Sequence, residues 1–111
     1  EQDISAVSAG FMVRVETGVV AEARLAFGGM AGIPKRATQA EAALVGQPWS
    51  EASIDAAMAA LAHDFQPIAD WRASAEYRLA TAQNLLKRFF LENSRSGEAT
   101  RVLGLKSLAH G

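Results

Sequence analysis

From Val7 to Val15 the odd positions Val7, Ala9, Phe11, Val13 and Val15 are apolar, while Ser8, Gly10, Arg14 and Glu16 take most of the even ones. This is the alternation of a strand with one buried face. Val19, Ala21, Ala23, Leu25 and Phe27 repeat it, with Glu22 and Arg24 on the opposite face. Two one-sided strands in direct succession predict a hairpin. To put both apolar faces on the same side, odd residues must stand opposite odd ones, which predicts a three-residue loop, Glu16-Thr17-Gly18, with Gly18 in the left-handed position. That register sets Val15 opposite Val19, Phe11 opposite Ala23 and Val7 opposite Phe27.

The run Phe27-Gly28-Gly29-Met30-Ala31-Gly32-Ile33-Pro34-Lys35-Arg36-Ala37 then reads as a strand-to-helix junction. Thr38 and Glu41 have capping-box spacing, predicting a short helix to about Val45 that Gly46 and Pro48 end. Ser50 caps a second helix, in which Ile54, Ala57, Met58, Leu61 and Phe65 recur at helical spacing up to Pro67. The third helix is predicted from near Ser74 to about Glu92, with Ala82, Leu85, Leu86 and Phe89 on one stripe. Leu79, Phe90 and Leu91 widen that stripe, which implies contact on more than one side. From Asn93 the periodicity disappears, so residues 94–111 are expected to be a mobile tail, with Val102, Leu103 and Leu105 as a short apolar contact.

Composition narrows the class. The chain has 111 residues, 50% of them hydrophobic and 21% charged, which suits one folded domain and argues against disorder. Alanine supplies much of the apolar half, so a few large side chains must build the core: Phe11, Leu25, Phe27, Trp49, Phe65, Trp71, Tyr77, Leu86, Phe89 and Phe90. A formal net charge of −1, with both signs mixed along the chain, offers no field for nucleic acid or an anionic membrane. Without cysteine the chain forms no disulfide and holds no cysteine-ligated iron–sulfur cluster, and no apolar run approaches membrane-spanning length. A cytoplasmic setting is expected, and the start at Glu1 followed at once by strand pattern reads as part of a longer polypeptide.

No catalytic constellation is recognisable. Gly28-Gly29 is not part of a GxGxxG or Walker pattern, and a bend or bulge is the preferred reading. Lys35 and Arg36 read as a solvated pair. His63 and Asp64 invite comparison with a general base, but neighbours on a helix point about 100° apart, so capping or surface roles are preferred. His63 and His110 have no metal-ligand spacing. Asp70-Trp71-Arg72-Ala73-Ser74-Ala75-Glu76-Tyr77-Arg78 packs charge and aromatics around a helix start, which reads as capping and anchoring. No metal or catalytic residue is assigned.

Taken together, EQDIS at Glu1 to Ser5, FGGMAGIPKRA at Phe27 to Ala37, GQPW at Gly46 to Trp49 and DWRASAEYR at Asp70 to Arg78 resemble one family. It is the C-terminal domain of the flavin-binding part of molybdenum hydroxylases, the CO dehydrogenase flavoprotein C-terminal domain-like family, in particular the small subunit of bacterial xanthine dehydrogenase. The resemblance spans residues 1–93 and implies an α+β fold, an antiparallel sheet of about three strands packed against three helices, strands first. The third strand is expected around Pro34 to Thr38. The resemblance also implies a parent enzyme oxidising xanthine to urate, with molybdopterin, two [2Fe-2S] clusters, FAD and NAD as acceptor, none of them held by this chain alone. Its partners would be an upstream FAD-binding domain of the same polypeptide and a molybdenum-binding large subunit. Glu1, Asp3 and Ile4 match the end of a loop beside the flavin. The expected role is a non-catalytic companion domain that closes the FAD site and supports subunit docking. A standalone dimerisation module using the third helix is the alternative, and a small independent enzyme using His63, Asp64 or Asp70 ranks last.

Overall fold

The computed structural model describes residues 7–29, 35–65, 72–94 and 100–109. The hairpin is β1 (Val7–Glu16) and β2 (Val19–Gly28), followed by the short β3 (Lys35–Arg36), the helices α1 (Thr38–Leu44), α2 (Glu51–Asp64) and α3 (Arg72–Glu92), and finally β4 (Thr100–Ala109). Every strand pair is antiparallel and the sheet order is β3-β2-β1-β4. The α+β class and the strand-then-helix order hold, and β3 falls inside the segment expected to supply a third strand.

Two features of the sheet differ from the expectation. The hairpin turn has two residues, Thr17 and Gly18, with φ of 54° and 80°. Positive φ at both positions matches the twist of the flanking strands, which favours the shorter turn. Face parity is then restored by a bulge at Ala21: Val15 pairs with Val20, and Arg14 with Glu22. The register is therefore Val13 opposite Ala23, Phe11 opposite Leu25 and Ala9 opposite Phe27, with Val20 buried and Val19 41% exposed. The second difference is β4. Its sequence, TRVLGLKSLA, has no alternating pattern, yet it pairs with β1 along the whole length of that strand. Residues 100–109, read as part of a tail, are thus a sheet strand whose formation rests on pairing and not on local pattern.

The helices cover one sheet face, α1 over β2 and α3 over β1, with α2 packed against both other helices. Edge-to-face ring contacts run through the core from Phe65 to Phe27, Phe11, Phe89, Trp49 and Phe90, with centroids 5.1–6.0 Å apart. Such pairs add to the free energy of burial. Trp49 also donates its backbone amide to Gly18 O and its indole Nε1 to Asn93 O, tying the α1–α2 loop to the hairpin turn and to the end of α3. This loop, together with the sheet, accounts for the width of the α3 stripe: Phe90 is buried against Trp49 and Leu79 packs on the core, while Leu91 stays 57% exposed. Tyr77, expected in the core, is about half exposed, and Trp71 lies outside the described residues.

Candidate functional site

Among the described residues, Lys35, Arg36, Glu41 and Asp64 converge where β3, the start of α1 and the end of α2 meet. The anticipated capping box does not form. The N-cap of α1 is Ala37, with no side-chain cap, and Thr38 is already helical. The free amides at the start of α1 are instead capped from across the fold: Asp64, in the last turn of α2, accepts from Gln39 N at 2.9 Å through Oδ1 and from Ala40 N at 3.0 Å through Oδ2. A carboxylate suits this position because it meets both the unsatisfied amides and the positive end of the helix dipole.

With its capping task gone, Glu41 turns to the sheet. Its Oε2 accepts from Leu25 N at 2.8 Å and from Arg36 Nε at 3.0 Å, and its Oε1 accepts from Arg36 Nη2 at 2.8 Å. The two-point guanidinium–carboxylate geometry is the stronger form of ion pair. The hydrogen bond to Glu41, and then its charge, hold the Arg36 pKa above its ordinary value. Lys35 donates to Asp64 O at 2.8 Å and lies over the Phe65 ring at 5.3 Å, so its charge sits at the carbonyl end of α2.

Lys35 and Arg36, read from sequence as a solvated pair, are both exposed, and each also bonds to a helix. Asp64 carries out the capping role preferred for it, toward a different helix, and spends both oxygens on amides. His63 is exposed in the last turn of α2 and is not brought into this cluster. The expected α2 cap does form, with Ser50 accepting from Ser53 N. Glutamine in place of Glu41 puts an amide where two acceptor oxygens meet three donors. Glu41→Gln is expected to destabilise the fold by about 1–3 kcal/mol, and Arg36→Gln by less because Arg36 is more than half exposed. Urea denaturation measures both.

Gly28 and Gly29 differ. A Cβ on Gly28 would come within 2.6 Å of Ser8 Oγ, a hydroxyl that a change of rotamer can move aside. Gly29 has φ of 88°, where glycine is favoured. In the described part of the junction, Lys35 and Arg36 are engaged with the helices. Among the described residues there is no group of three or more His, Cys, Asp or Glu side chains able to hold a metal ion. Glu1, Asp3 and Ile4 lie outside the described residues, as do Asp70 and the whole of the Met30 to Pro34 run. From the Asp70 to Arg78 segment, Arg78 holds its Nε out of water with no hydrogen-bond partner among the described residues.

Comparison with known proteins fits this architecture. Residues 1–93 match the family model of the CO dehydrogenase flavoprotein C-terminal domain. The xanthine dehydrogenase FAD-binding subunit of Escherichia coli O157:H7 is 33% identical over 90 residues, covering 81% of this chain and 31% of that subunit. Nicotinate hydroxylase hnxS of Emericella nidulans is 37% identical over an alignment of 95 residues that covers 81% of this chain and 7% of that protein. Among solved structures, carbon monoxide dehydrogenase from Hydrogenophaga pseudoflava superposes with a TM-score of 0.62 at 32% identity, covering 73% of this chain and 29% of that one. Quinoline 2-oxidoreductase from Pseudomonas putida 86 gives 0.62 at 25% identity, covering 78% and 30%. The chain thus spans less than a third of the length of the relatives it matches, and it belongs to the CO dehydrogenase flavoprotein C-terminal domain family.

Proposed function

We propose that this chain is the non-catalytic C-terminal part of the flavin subunit of a molybdenum hydroxylase, closing one side of the FAD site and helping to dock that subunit on a molybdenum-binding large subunit. The observation that carries this reading is the family match over residues 1–93. The engagement of Lys35, Arg36, Glu41 and Asp64 in fastening helices to the sheet supports it, because a companion domain needs a rigid body more than reactive groups. The reading extends to xanthine as the substrate, oxidised to urate in the cytoplasm with NAD as acceptor; the similarity to a xanthine dehydrogenase subunit supports the substrate alone. Molybdopterin, [2Fe-2S] clusters and FAD would be held by the rest of the enzyme, where FAD, once bound, supplies the site of hydride transfer to NAD.

The contribution of this chain would be to bound the flavin site and place negative charge beside it, with Glu1, Asp3 and Ile4 next to the ring. A nearby carboxylate disfavours the extra negative charge of reduced flavin. In the whole enzyme, Glu1→Gln combined with Asp3→Asn is therefore expected to raise the flavin potential and alter the KM for NAD; unchanged values would remove these residues from the site. The wider reading predicts that the isolated chain is colourless and fails to quench FAD fluorescence on titration. Tight stoichiometric FAD binding by this chain alone would overturn it.

A further inference from the structure

The edge of β1 that faces β4 is left for pairing by the rest of the fold. On the other side of the hairpin, β2 is covered by β3 and by the Val19–Pro48 bridge to the α1–α2 loop. Without β4, the outer edge of β1 would run unpaired from Val7 to Glu16, ten residues without proline or lysine, whose charged residues Arg14 and Glu16 lie at the turn end and leave 7–13 unguarded. The bulge lies on β2, near the turn, and leaves the β1–β4 register unbroken. β4 fills this edge with ten consecutive pairs, from Val7 with Ala109 to Glu16 with Thr100. It is the terminal strand of the sheet, and its extensive contacts are with β1, whereas α1 and α3 pack on β2 and β1. It also falls after residue 93, where the family match ends.

We propose that the outer edge of β1 is a strand-accepting site and that its second occupant is the β4 strand of another copy of this chain. An exchanged strand makes the same ten pairs as the chain's own, so exchange forfeits no ladder hydrogen bonds; its cost is the freedom lost on association, which protein concentration offsets. Because the helical body is built from β1, β2 and the three helices, the exchange leaves the aromatic core in place. The occupant follows from the ladder itself and does not depend on the reading of the parent enzyme.

The absence of cysteine makes the test direct. Gly10 and Lys106 are register partners, as are Ala9 and Ser107, so the two pairs sample both kinds of antiparallel position, and a Cβ at Gly10 meets open space. In the full chain, Gly10→Cys/Lys106→Cys and Ala9→Cys/Ser107→Cys are oxidised at rising protein concentration and run without reductant. The expected result is internal closure at low concentration, with the ratio of covalent dimer to monomer rising about tenfold for a tenfold increase in free protein. Mixing the two single variants of a pair should give the mixed dimer in excess over either like pair. Internal closure alone at every concentration, with no excess of mixed dimer, would overturn exchange. Failure of both pairs to cross-link in any arrangement would overturn the ladder on which it rests.

Discussion

Replacing Phe89 by alanine is expected to destabilise the domain by about 3–5 kcal/mol, the range for removing a buried phenylalanine where neighbours only partly collapse into the space. Phe89 is fully buried and stands at the crossing of the sheet and helix layers. Its ring meets Phe11 of β1 at 5.3 Å and Trp49 of the α1–α2 loop at 6.0 Å, so one deletion opens both contacts. Trp49 also holds Gly18 O and Asn93 O, and its displacement would loosen the hairpin turn and the α3 end together. Since small domains are stable by roughly 5–15 kcal/mol, the loss takes a large share of the total. Urea unfolding followed by tryptophan fluorescence measures it, and a red-shifted native spectrum is expected as water reaches the indole. Leu91→Ala, two positions along the same helix but 57% exposed, should change stability by no more than about 0.5 kcal/mol. If the two variants matched, α3 would not pack by this face.

The hairpin and the α3 stripe were legible because each is a local period: alternate residues of β1 and β2 are apolar, and Ala82, Leu85, Leu86 and Phe89 recur with the helical turn. Periodicity reports which face is buried and is silent about how the chain turns between elements. The hairpin register was missed for that reason. Two backbones satisfy the same face rule, a three-residue loop or a two-residue turn followed by a bulge, and the choice depends on strand twist, which no side-chain pattern records. β4 was missed because the partner supplies its order: Val102 and Leu103 are adjacent and Gly104 interrupts the run, yet β1 offers a complete row of amides and carbonyls. The site residues divide in the same way. Ser50 caps its own helix three residues away and was found, whereas Asp64 caps a helix 24 and 25 residues earlier in the chain. Spacing rules such as Thr38 with Glu41 assume that a helix start is satisfied locally. Here a distant carboxylate wins, and Glu41 is drawn to Leu25 N and Arg36.

Asp64→Ala is accordingly expected to destabilise the fold by about 2–3 kcal/mol, more than loss of an ordinary surface cap. Two effects combine. The amides of Gln39 and Ala40 lose their acceptor, and the Ala40 bond is buried, where water cannot replace the carboxylate without opening the α1–α2 contact. α1 has seven residues, too few to remain helical without tertiary support, so its start should fray first. Amide hydrogen exchange in α1 is then expected to accelerate well before that of β1 or α3, and the melting temperature to fall by roughly 10 °C or more. Asp64→Asn keeps one oxygen acceptor and should lie between wild type and alanine, which separates the hydrogen bonds from the full charge. His63→Ala provides the contrast: this side chain is exposed beside Asp64, so its removal should leave stability within about 0.5 kcal/mol. Each Asp64 oxygen accepts one amide, so both are engaged in the cap. Unchanged stability and unchanged α1 exchange in Asp64→Ala would refute the cap and return Asp64 to the pool of chemically available carboxylates.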